Sequence, residues 1–311
     1  MSLISPILDW QRAKLSALWK FSRPHTIIGT SLSVLGLYGM ALAPAAFSPA
    51  SLTDLGWAWL ACLAGNVYIV GLNQLTDVAI DQINKPHLPL AAGEFSRSQG
   101  IAIVSVSGIV ALAIAIWQGP GLLVTVALSL LIGTAYSLPP IRLKRFPVWA
   151  ALCIFGVRGV IVNLGLFLHF QSQFGSGSGI PPQVWALTVF VVVFTFAIAI
   201  FKDIPDIEGD RQYKITTLTI KLGARRVFNL ALWVLTTCYL GMAIAALAGL
   251  PGVQTVGLIV TQLGLLALLW WRSRGVDLAD KKAIASFYQF IWKLFFLEYL
   301  IFPIICLFGQ S

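Results

Sequence analysis

Charge is what this chain lacks. Of its 311 residues only 11% are Asp, Glu, Lys or Arg, against 58% drawn from the hydrophobic set that includes Cys, Trp and Tyr, and its mean hydropathy is +0.85. A soluble domain carries roughly 25% charged residues because its surface must be solvated, so a water-soluble globule is excluded. Cysteine is scarce: Cys62, Cys153, Cys238 and Cys306 stand singly, which excludes a disulfide framework and a zinc-finger spacing. His25, His87 and His169 are scattered, and each reads as a packing or interfacial group before a metal ligand. The glycine motifs of P-loops and dinucleotide folds are both missing.

What is present is a succession of charge-free runs. A bilayer core of about 30 Å takes roughly 20 apolar residues as a helix. Charge-free stretches occur at 26–53, 55–76, 98–141, 159–201 and 227–271. The last three are too long for one crossing, and each is interrupted: at Trp117-Gln118-Gly119-Pro120-Gly121, over 175–182, and at Gly249-Leu250-Pro251-Gly252. With spans opening near Pro147 and near 284, the expectation is an all-α, polytopic transmembrane bundle forming a single membrane domain over 1–311. Its nine helices are expected at about 25–46, 56–78, 98–117, 121–138, 147–170, 184–203, 227–248, 253–271 and 284–308.

Basic residues sort strictly by connection. Nineteen of the 21 Lys and Arg fall in the N-terminal segment or in loops 2–3, 4–5, 6–7 and 8–9, and the other two, Arg158 and Lys293, lie within spans. The positive-inside rule then places the N-terminus and these loops on the cytoplasmic side, with the C-terminus opposite, in a bacterial inner or thylakoid-type membrane. The net charge of +9 thus belongs to one membrane face and speaks for anionic lipid or an anionic substrate, not for nucleic acid. Residues 1–23 have the layout of neither a signal peptide nor a transit peptide. They are expected to form an interfacial amphipathic helix, with Leu3, Ile7, Trp10, Leu15, Leu18 and Trp19 as its apolar positions.

The acidic residues are few and clustered. Asn73, Asp77 and Asp81 follow in steps of four, on one slowly rotating helix face at the end of span two. Asp203, Asp206 and Asp210 follow in steps of three and four after span six, with Glu208 pointing elsewhere. Carboxylates stacked at this spacing repel unless a cation lies between them, and hard oxygen ligands without Cys or His suit Mg²⁺ completed by water and phosphate oxygens. Asp77, Asp81 and Lys85 match Asp206, Asp210 and Lys214 at a constant offset of 129 residues, which suggests a parallel repeat of helices 1–4 and 5–8. Facing acidic stripes with interleaved Lys and Arg suit a magnesium-bound diphosphate.

These same residues resemble the two aspartate motifs of the UbiA-type intramembrane aromatic prenyltransferases. The likeness extends to Arg23-Pro24-His25-Thr26, to the run from Tyr136 to Arg145, and to Lys202 through Thr217. Within that family, Asn73-Gln74, the run from Asn84 to Glu94 and Leu143-Lys144-Arg145 most resemble the homogentisate phytyltransferases. The resemblance implies an enzyme with Asp77, Asp81, Asp203, Asp206 and Asp210 as catalytic residues, joined by Asn73 as metal ligands for Mg²⁺. Its partners would be the lipid bilayer, phytyl or a related isoprenoid diphosphate, and homogentisate. Departure of diphosphate leaves an allylic cation that the acceptor ring attacks, with loss of CO₂ and a proton. Gln74 and Leu88 stand where many members have Asp and Arg, so diphosphate contacts are expected from Arg23, Lys85, Arg97, Arg142, Lys144, Lys202 and Lys214 instead. Tyr136, Ser137, Arg158 and Asn163 are candidates for the acceptor or the cation, and Tyr68, Phe155 and Phe167 offer further aromatic faces.

Arg158 and Lys293 each lie roughly 16 Å into a span at 1.5 Å per residue, a costly placement for a charge. One expectation is a structural network of Arg158 or Lys293 with Glu298. The other is that Arg158, with Asn163, anchors an acidic aromatic substrate. Chlorophyllide, 4-hydroxybenzoate and a dihydroxynaphthoate are alternative acceptors. A polytopic transporter is the alternative from another class, though its coupling groups belong near the bilayer midplane, whereas these acids lie at one face.

Overall fold

The computed structural model describes residues 4–42, 48–175, 179–213 and 215–309. Among them there are helices and no strands. The surface helix α1 (Ile4–Phe21) leads into α2 (Pro24–Leu42) and the 36-residue α3 (Pro49–Asn84), followed by α4 (Arg97–Gln118) and α5 (Pro120–Ser137). A single 28-residue span is then built from α6 (Pro147–Phe155), a π-helical segment Gly156–Ile161 and α7 (Val162–Phe174). After α8 (Pro182–Phe201) come two short helices, α9 (Ile207–Gln212) and α10 (Leu218–Leu222), then α11 (Ala224–Leu247), α12 (Thr255–Ser273) and α13 (Lys281–Phe308). Nine of these units, among the described residues, are long and apolar enough to cross a membrane, as the hydropathy pattern predicts.

The ends of the helices follow local chemistry. Ser48 caps α3 in a capping box with Ser51, with Pro49 in the first turn, and Ser96 does the same for α4 with Gln99. Pro86 biases Lys85 away from helical backbone, and α3 stops at Asn84 with Lys85 at φ −141°. The difference from expectation that matters is length. The second span runs about 54 Å at 1.5 Å per residue, well beyond a hydrocarbon core, so Asp77 and Asp81 stand on regular helix at the membrane face. The first span is described as far as Leu42, its expected end at 46 lying outside the described residues; the sixth ends at Phe201, and the ninth opens at Lys281.

α3 pairs with α4 and α8 with α11, while α2 packs on α7 and α13. Much of the core lies on α8, where Phe190, Val191, Phe194 and Phe201 are buried. Large apolar side chains such as Ile109, Ile116, Trp233 and Leu247 point outward at 60% exposure or more, as a lipid-facing surface requires. On α1, Ala17 and Phe21 pack inward and Leu15, Leu18 and Trp19 point out; Leu3, Ile7 and Trp10 lie outside the residues whose side chains are described. Small residues let helices approach closely, a rule of membrane packing. A Cβ on Gly165 of α7 would lie 2.1 Å from Thr125 Oγ1 of α5. Gly165→Val is therefore expected to destabilise the bundle by about 1–3 kcal/mol, read as a lowered thermal midpoint in detergent; an unchanged midpoint would contradict this packing.

Candidate active site

Both acidic motifs open onto one cavity of about 1240 Å³. From α3 come Asn73, Asp77 and Asp81, with Asn73 Nδ2 donating to Asp77 Oδ2 at 3.2 Å. The second motif reaches the same space by a different route from the helical stripe its spacing suggests. Pro205 disfavours helical backbone at Ile204, so the chain leaves α8 and turns through Lys202–Pro205, and Asp206 becomes the N-cap residue of α9. Asp203, Asp206 and Asp210 still line the cavity, while Glu208 is exposed and pairs with Lys281 at 2.5 Å.

The motifs are bolted together across 125 residues of sequence. Asn84 Oδ1 accepts the Gly209 backbone N–H at 2.9 Å, and Lys85 pairs with Asp206. A Cβ on Gly209 would fall 2.5 Å from that Oδ1, so the contact requires glycine. The sequence displays Asn84-Lys85-Pro86 as a motif, yet the role of Asn84 as a clip is set by a partner 125 residues away. Its only local signal is a glycine between Glu208 and Asp210.

Cations surround the carboxylates. Arg142 Nη2 donates to Asp77 Oδ1 at 3.0 Å, and Lys144 Nζ reaches Asp77 Oδ2 at 2.7 Å and Thr76 Oγ1 at 2.9 Å. Lys202 pairs with Asp203 at 2.5 Å, and Arg23 Nη2 donates to Asn73 Oδ1 at 3.4 Å. Burial alone would depress Lys202, but Asp203, Tyr136 and Asp206 outweigh it and raise it well above the ordinary lysine range. Burial lowers Lys144 despite the opposing charge of Asp77. Asp210 is pushed up to about 7, first by burial and then by Asp206 and Asp203.

The donor set fits a hard cation. One oxygen of Asp81, Oδ2, is buried without a hydrogen-bond partner, and the remaining donors are carboxylates and an amide oxygen. No three His, Cys, Asp or Glu among the described residues converge tightly enough to hold an ion by themselves. Mg²⁺ is a cation that takes one or two carboxylates and completes its shell with water and phosphate oxygens.

Other expected residues divide. Arg23, Lys85, Lys144, Lys202, Tyr136, Phe155 and Arg158 line the cavity, and Arg142 touches it through Asp77. Arg97 does not: it opens α4 on the exposed surface. Ser137 is turned about 100° around the helix from Tyr136 and is fully buried away from the cavity. Asn163 is buried too, its amide donating to Gly159 O and its oxygen accepting from Tyr299. Tyr68 bonds Thr134 and Phe167 packs in the core, so neither face is offered to a cation. Lys214 lies outside the described residues. The expected network with Glu298 does not form: Gln262 Nε2 holds both Glu298 oxygens at 3.1 Å, and Lys293 is exposed.

Beyond the acidic end the wall is mostly apolar, from Ile69, Val126 and Leu130 to Val192 and Phe196, with scattered polar side chains such as Ser33, Asn66 and Ser129. Val148 and Leu152 both line it and are exposed on the outer surface, which marks a lateral opening beside α6. An inner wall of His25, Tyr288 and Trp292, brought from opposite ends of the chain, was not legible beforehand. The arrangement can hold a polyanion at one end and a long hydrocarbon at the other.

The UbiA prenyltransferase family model matches residues 32–294. Over 94% of this chain and 96% of the relative, the sequence is 59% identical to a homogentisate phytyltransferase of Synechocystis sp.. It is 42% identical, over 94% of this chain and 76% of the relative, to the chloroplastic homogentisate phytyltransferase 1 of Arabidopsis thaliana. A UbiA homologue of Archaeoglobus fulgidus, solved with GPP and Mg²⁺, superposes with a TM-score of 0.63 at 17% identity, covering 93% of this chain and all of that one.

Two outcomes are expected at this site. Asn84→Ala leaves the Gly209 N–H unmatched, a penalty of about 1–3 kcal/mol, and should weaken Mg²⁺-diphosphate binding about tenfold in calorimetric titration while the helical circular-dichroism spectrum stays unchanged. Protons compete with a cation for Asp210. Below about pH 7 its carboxyl is protonated and cation affinity falls; above, affinity rises and levels off. Titrating Mg²⁺ binding between pH 5.5 and 8.5 checks this, and a flat profile would contradict it.

Proposed function

The chain belongs to the UbiA prenyltransferase family, and on that basis we propose that it transfers a prenyl group, phytyl by preference, from its diphosphate to the ring of homogentisate. The acceptor loses its carboxylate as CO₂, and the product is 2-methyl-6-phytylquinol, a precursor of tocopherol. The observation that carries this reading is the joining of Asp77 and Asp81 to Asp206 and Asp210 across one cavity whose remainder is mostly apolar. Identity of 59% to the Synechocystis enzyme supports homogentisate and phytyl diphosphate over the other acceptors and donors.

Mg²⁺ would be held by Asn73, Asp77 and Asp81 on one side and by Asp203, Asp206 and Asp210 on the other, and when bound supplies charge neutralisation that makes diphosphate a better leaving group. The chain's own groups do the rest. Lys85, Lys144, Lys202 and Arg23 set positive charge where negative charge collects as the bond from prenyl C1 to oxygen breaks, its electron pair leaving with diphosphate. The apolar wall excludes water from the allylic cation, and Tyr136 and Phe155 present ring faces to it. A ring carbon of the acceptor forms the new bond to C1 and gives up its proton; the benzylic carbon takes one up as CO₂ leaves. The side opening at Val148 and Leu152 admits the tail from the bilayer.

The chain is an integral membrane protein, one membrane unit over 1–311 with α1 lying along its surface. The segregation of basic residues supports an orientation with the N-terminus and both Asp motifs on the cytoplasmic side and the C-terminus opposite. The pairing of α3 with α4 and of α8 with α11 supports the parallel repeat. With acids at the cavity mouth and family membership established, a transporter is the weaker reading.

Detergent-solubilised protein with homogentisate, phytyl diphosphate and Mg²⁺ is expected to form the methylphytylquinol. EDTA, Asp77→Ala and Asp206→Ala should each cut the rate by at least about a hundredfold. Turnover with a different aromatic acceptor alone would displace homogentisate. Folded protein that releases no diphosphate with any acceptor would overturn prenyl transfer.

A further inference from the structure

Arg158 lines the same cavity as the Asp motifs, in a wall of mostly apolar side chains with a few hydroxyls and amides such as Thr30, Ser33 and Gln289 and no carboxylate beside it. Among the described residues it makes no ion pair with any carboxylate and no hydrogen bond. A guanidinium in such a place costs several kcal/mol on insertion scales unless something answers it. Two aromatic rings answer it in part: its central carbon lies 5.0 Å from the Trp292 ring centroid and 5.6 Å from that of Phe295. Such contacts place the cation over a ring face and satisfy none of its N–H donors, whose planar fork fits a carboxylate in a bidentate pair.

The surrounding structure fixes the backbone that carries Arg158. Arg158 sits in the π-helical segment Gly156–Ile161, where Val162 N–H reaches back five residues to Val157 O, and such segments concentrate at functional sites. Gly159 presses on α8, where a Cβ would come within 2.5 Å of Val192. Behind the turn, Asn163 Nδ2 donates to Gly159 O at 2.8 Å and Tyr299 Oη donates to Asn163 Oδ1 at 2.5 Å. Room for the head group comes from Gly29, whose Cβ would lie 3.1 Å from Arg158 Nη1. Arg158 shares one cavity with Arg23, Lys85 and the Asp motifs.

We propose that Arg158 selects the acceptor, its guanidinium edge receiving the carboxylate of an acidic aromatic ring laid between the Trp292 wall and the prenyl C1. This rests on the prenyl-transfer reading and deepens it. A site that expects a carboxylate discriminates strongly against an analogue without one, because its own buried donor is then left unmatched.

The test compares homogentisate with its neutral carboxamide on the full-length protein in detergent. Wild type is expected to turn over the acid with a KM at least tenfold below the inhibition constant of the carboxamide. Arg158→Met should raise the KM for homogentisate tenfold or more and abolish that preference, while the KM for the prenyl diphosphate stays within twofold. Arg158→Lys, which keeps the charge without the fork, should recover part of the preference and keeps the question answerable if the Met variant fails to fold. Wild type without acid preference, or Arg158→Met that retains it, overturns the proposal while transfer itself stands. No turnover with any acceptor overturns transfer, and this proposal with it.

Discussion

Five carboxylates around one low-dielectric cavity are the constraint on which the rest of this structure depends. Asp77, Asp81, Asp203, Asp206 and Asp210 repel one another and lose hydration as they are buried, so the fold has to supply cations and donors from several directions. It draws Arg142 and Lys144 from the loop after α5, Lys202 from the end of α8, and Lys85 from the end of α3. The extension of α3 past the hydrocarbon core, the break at Pro205 and the Asn84–Gly209 clip all bring oppositely charged groups into register at one membrane face.

That same constraint separates the cavity into two chemistries. Ionic groups gather at the interface, where the cost of burying them is reduced, and the space beneath is walled by aliphatic and aromatic side chains. A prenyl diphosphate has the matching division of charge and hydrocarbon. Catalysis in such a site is largely a matter of placing fixed charge where it develops and keeping water from the cation.

Two further buried polar clusters lie apart from the cavity. Glu298 is tied to Gln262 within the α11–α13 side of the bundle, and Asn163 to Gly159 and Tyr299; none of these side chains lines the cavity. Arg158 is different because aromatic rings balance it without closing its hydrogen-bonding edge. Family membership and 59% identity to a phytyltransferase set the reaction class, and the placement of Arg158 speaks to the acceptor.

Nine spans, their order and the shared membrane face of the acidic motifs follow from the sequence alone. Hydrocarbon thickness imposes a length on apolar runs, and charge is too costly to scatter among them. The Asn73–Asp77–Asp81 face was legible because helix periodicity is local. Tertiary structure alone decided which basic residues reach the carboxylates: Arg142 and Lys144 do, and Arg97 points away although its span flanks the site. It likewise decided that Asn163 braces a π turn instead of lining the site, and that Arg158 meets Trp292 and Phe295 instead of Glu298. Those contacts join residues far apart in sequence, 65 positions for Arg142 and Asp77 and 136 for Asn163 and Tyr299, or depend on one extra residue in a helical turn, and neither the distance across a bundle nor the phase of a helix beyond such a turn is written in local spacing.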